Sequence, residues 1–215
     1  ACLVGSEMCI RDSPKVATIL NNLGLLYYNE SEYSKAEPLY KQALEIREKT
    51  LGLEHPDVAI TLNNLAWLYH NQGRYIEAEP LYQRALTIQE TILGQEHPNI
   101  AQILNAQAML NRALGKYSQA EQLFKRALAI REHLLGQDHP FVATTLNDLA
   151  WLYFDRGKYA EAEALYLKAL VIREKALGQE HPHLATTLND LAVLYVEQGK
   201  YLQAEQLFQR ALNIR

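Results

Sequence analysis

The sequence predicts an all-α protein, a solenoid of five stacked antiparallel helix pairs. Three observations carry this. Proline recurs at Pro14, Pro56, Pro98, Pro140 and Pro182 at a constant spacing of 42 residues (56 − 14), a regularity of stacked supersecondary units rather than of one irregular core. Within a unit, Leu62, Leu65, Ala66 and Tyr69 fall at i, i+3, i+4 and i+7, which places one apolar stripe along a helix, here helix A. A second stripe, Tyr75, Ala78, Leu81, Tyr82, Ala85, Leu86 and Ile88, alternates large and small side chains, so that helix B can approach helix A closely and interlock with it.

The breaks between these elements are equally regular. Gly73 separates the two stripes and returns as Gly115, Gly157 and Gly199, where a left-handed backbone is least costly without a Cβ. Leu93 and Gly94 end helix B, and His97 and Pro98 open the next helix A, with proline at a first-turn position that needs no N–H donor. The units therefore run 14–55, 56–97, 98–139, 140–181 and 182–215, the last one truncated.

The pattern of Leu62, Leu65, Ala66 and Tyr69 followed by Ala78, Tyr82 and Ala85 resembles the tetratricopeptide repeat, and the resemblance covers residues 14 to 215. The usual repeat is about 34 residues long. The longer period, with LNNLAxLY, AExLYxRALxIRE and LGxEHP, is similar to the kinesin light chain variety. Similar units occur in signalling proteins that join repeat arrays to a nucleotide-binding switch domain. The resemblance implies a right-handed superhelix with helices A on the concave side and helices B on the convex side.

The first repeat has Ser31 where later copies have glycine, and Gly24 where they have alanine, so a strained or rearranged turn is expected. Pro38 and Pro80 fall near the end of the first turn of helix B and read as start signals. In the third repeat Gln107 replaces the core leucine, Asn111 the core tyrosine and Met109 the tryptophan of Trp67 and Trp151. Lying four apart, Gln107 and Asn111 can hydrogen-bond each other; the pair reads as drift or as a flexible joint.

The ends differ from the array. Residues 1 to 13, ACLVGSEMCIRDS, match no repeat position and read as joined foreign sequence or as a short extension, poorly packed either way. At the other end no polar capping helix follows Arg215. The chain therefore reads as a fragment, and self-association through Tyr201, Leu207 and Leu212 is expected.

Composition narrows the function. A formal net charge of −4 without a Lys/Arg run argues against a nucleic-acid partner. Apolar runs fall far short of the roughly 20 residues of a membrane helix. Cys2 and Cys9, the two cysteines, lie outside the repeats, which excludes a disulfide or zinc framework for the array and fits a reducing, cytoplasmic setting. His55, His97, His139 and His181 each precede a junction proline and read as turn residues, with no ligand cluster beside them. No phosphate loop, nucleophile elbow or zincin motif is present, so no catalytic residue, metal or cofactor is expected.

A binding surface remains. If the Leu62 stripe faces helix B, then Asn63, Asn64, Trp67, His70 and Asn71 project from the other face of helix A. Their equivalents include Asn21, Asn22 and Tyr28 in the first repeat and Asn105 in the third. In the fourth they are Asn147, Asp148, Trp151, Phe154 and Asp155, and in the fifth Asn189, Asp190 and Glu197. The position held by Asn21, Asn63, Asn105, Asn147 and Asn189 is asparagine in every copy. Such amides could pair with the backbone of an extended peptide, the role the family resemblance implies, or could bond to the neighbouring repeat.

Helices A carry few cations, Lys15, Arg112 and Arg156, whereas Arg47, Arg84, Arg131, Lys168 and Arg173 lie on helices B. Asp148, Asp155, Asp190 and Glu197 then suggest a ligand with Lys/Arg side chains near them and apolar groups near Trp67. The expected function is an adaptor that holds an extended segment of another protein. The alternative is a structural or regulatory array of a multidomain signalling protein.

Overall fold

Each junction histidine begins a helix A by the same device. Its Nδ1 accepts the backbone N–H two residues on, from Asp57, Asn99, Phe141 and His183, at 3.1–3.2 Å, and proline follows at the first helical position. One otherwise unsatisfied N–H is capped by a neutral imidazole, and proline removes another donor. Ser13 stands 42 residues before His55 (55 − 13) and fills the same role, its Oγ accepting from the Val16 N–H at 3.4 Å.

The computed structural model describes residues 13–214. Among these there are ten helices and no strand. Helices A are α1 (Pro14–Asn29), α3 (Pro56–Asn71), α5 (Pro98–Ala113), α7 (Pro140–Asp155) and α9 (Pro182–Glu197). Helices B are α2 (Tyr33–Leu51), α4 (Tyr75–Leu93), α6 (Tyr117–Leu135), α8 (Tyr159–Leu177) and α10 (Tyr201–Asn213). The all-α, five-pair architecture is thus present. The expectation for residues 1–13 lies outside the described residues, Ser13 excepted.

The helices group into two compact units, one ending at Leu110 and one beginning at Asn111. In the first, α1 packs on α2, α2 on α3 and α3 on α4. In the second, α6 packs on α7, α7 on α8, α8 on α9 and α9 on α10. The same large residue fills the centre of four pairs: Tyr40, Tyr82, Phe124 and Tyr166 are each at most 1% exposed. Alanines let the helices approach around them, Ala17, Ala36 and Ala43 in the first repeat and Ala150, Ala162 and Ala169 in the fourth, all fully buried. Gly24 belongs to this packing, because a Cβ there would lie 2.9 Å from Tyr40 Cε1.

Two expectations need correction, and one is narrowed. The first-repeat turn is not rearranged: Ser31 adopts φ 61°, close to the 69–73° of Gly73, Gly115, Gly157 and Gly199, so the serine carries the strain of the common turn. Pro38 and Pro80 lie inside their helices, at the sixth residue of α2 and α4. Each forgoes an interior hydrogen bond on an exposed face, with the residue four back, Ser34 or Ile76, also exposed. Leu207 does not project from α10; it packs on Leu170, Leu184 and Leu188, and the exposed apolar residues there are Tyr201, Leu202 and Leu212.

Candidate protein-binding face

The outer stripes of helices A hold most of the residues singled out in the sequence, and a polar ladder runs along them. Asn64 Nδ2 donates to Asn21 Oδ1 at 3.1 Å, and Asn71 Nδ2 donates to the Tyr28 hydroxyl at 3.0 Å. In the second unit Asn147 Nδ2 donates to Asp190 Oδ2 at 2.8 Å, and Arg112 Nε donates to Asp155 Oδ2 at 2.6 Å. Every link spans 43 residues, one repeat plus one position. One helical step past the repeat is what brings neighbouring helix A stripes together.

The invariant asparagines are therefore mostly structural in placement. Asn21, Asn105 and Asn147 are 5–7% exposed, and Asn21 and Asn147 are bonded to the next repeat. Asn63 is half-buried, whereas Asn22 and Asn189 are exposed. Of the two roles open to these amides, Asn21 and Asn147 take the one toward the neighbouring repeat.

The acidic residues are placed differently from one another. Asp190 is 6% exposed and accepts from both Asn147 and the Trp151 indole N–H, the latter at 3.0 Å. Asp155 is ion-paired with Arg112. Burial pushes the Arg131 and Arg173 guanidinium groups down from their ordinary pKa, and Asp148 opposes this at both, joined by Asp190 at Arg173. Asp190 thus serves partners within the fold, and Asp155 makes a solvent-accessible ion pair between neighbouring repeats. Asp155 and Glu197 are the exposed members of the four, and Glu197 has no described polar partner.

The aromatic residues do form accessible steps. Trp67 is half-buried, 5.2 Å from His70 between ring centroids. Trp151 meets Phe154 edge-on at 5.2 Å, with the Arg112 guanidinium 5.3 Å from its ring centroid. With its N–H tied to Asp190 and its ring packed on Tyr166, Trp151 is held in place and half-buried, and a rigid aromatic ring of this kind suits an anchor for a partner side chain. Leu25, Ile60 and Val196 add exposed apolar surface to the same stripes.

Behind this face lies a feature that hydrophobic periodicity did not reveal. Arg47, Arg131 and Arg173, placed above on helices B, are 4–9% exposed. Arg47 Nη1 donates to the Asp57 carbonyl at 2.8 Å and to Thr61 Oγ1 at 2.6 Å. Arg131 joins Phe141 and Thr145, and Arg173 joins His183 and Thr187, in the same manner. Each guanidinium latches helix B of one repeat to helix A of the next. A signal was present: the one copy with glutamine for the arginine, Gln89, is followed by isoleucine for the threonine, Ile103.

Glutamates make a second inter-repeat clamp. Glu37 accepts from the Tyr69 hydroxyl at 3.0 Å and from Arg74 at 2.7 Å and pairs with Lys41. Burial opposes its ionisation, but these three donors outweigh it and hold its pKa at about 2. Glu121 is likewise held at about 2, first by Lys125, against burial, and then by Tyr153 and Arg156. Glu163 repeats the arrangement with Tyr195 and Lys200. Among the described residues, no group of three or more His, Cys, Asp or Glu side chains could hold a metal ion, and no helix is long and apolar enough to cross a membrane.

Known proteins show the same construction. The tetratricopeptide repeat family model matches residues 15–91, 68–133, 99–175 and 143–215. The crystal structure of BtubC (BKLC) from P. vanneervenii is 30% identical, with 98% of this chain and 85% of that one covered and a TM-score of 0.79. A Podosopora anserina protein of nearly identical TPR-like repeats, described as a kinesin light chain, is 28% identical over 94% of this chain and 96% of its own, with a TM-score of 0.75. Rap protein complexed with Competence and Sporulation Factor shares the fold at 19% identity, covering 91% of this chain and 53% of that one, with a TM-score of 0.79. The comparison with curated proteins finds no match. Such repeats generally serve as protein–protein interaction scaffolds, and this chain belongs to the tetratricopeptide repeat family, in its kinesin light chain-like form.

Proposed function

We propose that the protein is an adaptor that holds an extended segment of a partner protein along its helix A faces. The observation that carries this reading is the set of aromatic side chains kept reachable there. Trp67, Trp151 and Phe154 are half-buried, flanked by exposed Leu25, Ile60 and Val196. Large apolar groups left partly exposed on a helix face suit a partner's side chains. The solved complex of Rap protein with Competence and Sporulation Factor gives a precedent for a bound factor on this fold.

The charge preference changes with the geometry. Asp148, Asp155 and Asp190 have internal partners, so the ligand is chiefly apolar and hydrogen-bonding, with a cation favoured only near Glu197. Selection from a random peptide display library tests the reading. Selected peptides should bind through apolar or aromatic residues, and Trp67→Ala and Trp151→Ala should each weaken binding by about tenfold or more. Peptides unaffected by both changes would contradict it.

A second reading rests on a different surface. Tyr201, Leu202 and Leu212 are 69–80% exposed on α10, and an apolar helix face of this kind suits contact with a second copy or a neighbouring domain. In that case Leu202→Glu, rather than the tryptophan variants, would change the association state in sedimentation.

A further inference from the structure

The junction between the second and third repeats lacks the ladder link and the guanidinium latch seen elsewhere, and a cavity of about 240 Å³ lies there on the helix A face. Its walls are Ile60 and Asn63 of α3 and Gln102 and Ile103 of α5, with Gln89 of α4 behind them. At the first junction the ladder joins Asn21 to Asn64. The corresponding step from Asn63 arrives at Ala106 (63 + 43), whose methyl group offers nothing, and Asn63 Oδ1 is buried without a partner.

The latch is missing at the same place. Gln89 and Ile103 stand where Arg47 and Thr61 stand one repeat earlier. Too short to cross the junction as arginine does, Gln89 turns its Nε2 to the Pro56 carbonyl at 3.4 Å. That acceptor decides which end of the amide is which. Gln89 Oε1 is left without a hydrogen bond although the residue is only 2% exposed and lines the cavity. Two buried acceptors at one cavity call for a donor, since a buried acceptor left unpaired has lost its water without a replacement.

We propose that this cavity is a subsite for a primary carboxamide, the side chain of an asparagine or glutamine in the bound segment. Only the source of the group rests on the peptide-binding reading above; its chemistry follows from the cavity. An –NH2 group supplies two N–H donors, matched to Gln89 Oε1 and Asn63 Oδ1. No Asp, Glu, Lys or Arg lines the cavity, so an ammonium, guanidinium or carboxylate would be desolvated without a counter-charge. Ile60 and Ile103 suit the aliphatic stem. The volume lies below the roughly 300 Å³ where sites for whole small ligands begin, and so fits one side chain.

The test uses the whole chain, selectively 15N-labelled on Asn and Gln side chains and titrated with propionamide, propionate and propylammonium. Propionamide should shift the Asn63 and Gln89 side-chain signals saturably, with the other probes about tenfold weaker or silent. Ala106→Asn restores the ladder partner and should abolish the response, as should Gln89→Leu, with unfolding melts confirming that both variants fold. In a peptide selected on the helix A face, replacing its Asn or Gln with Leu should weaken binding to the unaltered protein but not to the Ala106→Asn variant. Silence of both signals with propionamide would mean a cavity holding water only and would overturn the proposal, as would preference for the ammonium or the carboxylate. Failure to obtain any binding peptide, with propionamide still bound, would remove the groove reading and leave the carboxamide site standing.

Discussion

Ser31 shows most simply how a repeat exposes a local departure. It holds φ 61° where four other copies place glycine at 69–73°, and a non-glycine residue pays about 1–2 kcal/mol for that conformation. The turn keeps its geometry because the helices on either side set it. Ser31→Gly should therefore stabilise the protein by about 1 kcal/mol in urea unfolding, the relief of strain exceeding the added freedom of the unfolded chain. Gln107 is the opposite case, a polar group that found a partner other than the expected one. It donates to Gln83 on the preceding helix B at 3.1 Å rather than using its own helix, and its carbonyl oxygen stays buried without a partner.

At the scale of the element, the helices are joined by two polar devices superimposed on apolar packing, and both invite direct tests. For the Arg–Thr latch, Ile103→Thr alone buries a hydroxyl and Gln89→Arg alone buries a charge, so each should destabilise. Together they rebuild the link seen at Arg47 and Thr61. A double-mutant cycle should then show a favourable coupling of about 1–3 kcal/mol, and strict additivity would contradict the latch. For the glutamate clamp the sign is set by the lowered pKa of Glu37 and Glu121. Held at about 2 against an ordinary 4.5, each contributes stability that is fully present above about pH 4.5 and is lost as pH falls towards 2. Glu37→Gln and Glu121→Gln should each lower the melting temperature at pH 7, and the difference from the unaltered protein should shrink between pH 4.5 and 2.

For the whole molecule, what could be read from sequence and what could not divide along physical lines. The 42-residue spacing of proline and glycine marks the ends of helices, because capping and positive φ are local demands that particular residues meet. Leu62, Leu65, Ala66 and Tyr69 revealed the packed face of helix A for a similar reason. The latch escaped notice because pattern reading assigns arginine to solvent, whereas Arg47 is buried through a partner 14 residues further along. The partners in the ladder escaped because its 43-residue step is one position out of register with the repeat, so the row of asparagines left open whether a peptide or the next repeat holds them. Asp190 was misplaced with them: its role depends on Asn147 and Trp151 of the preceding repeat, which a single helical wheel does not contain.

The central claim is that partners bind on the helix A faces, and amide hydrogen exchange with a selected peptide measures it most directly. Burial of reachable aromatic side chains and of the cavity by α3 and α5 should slow exchange chiefly in α3, α5 and α7. Helices B, whose outward faces carry Lys35, Arg84, Lys125 and Lys168, should be little changed near those side chains. Protection concentrated on α2, α4, α6 and α8, with helices A unaffected and the Trp67 and Trp151 variants binding normally, would contradict the account.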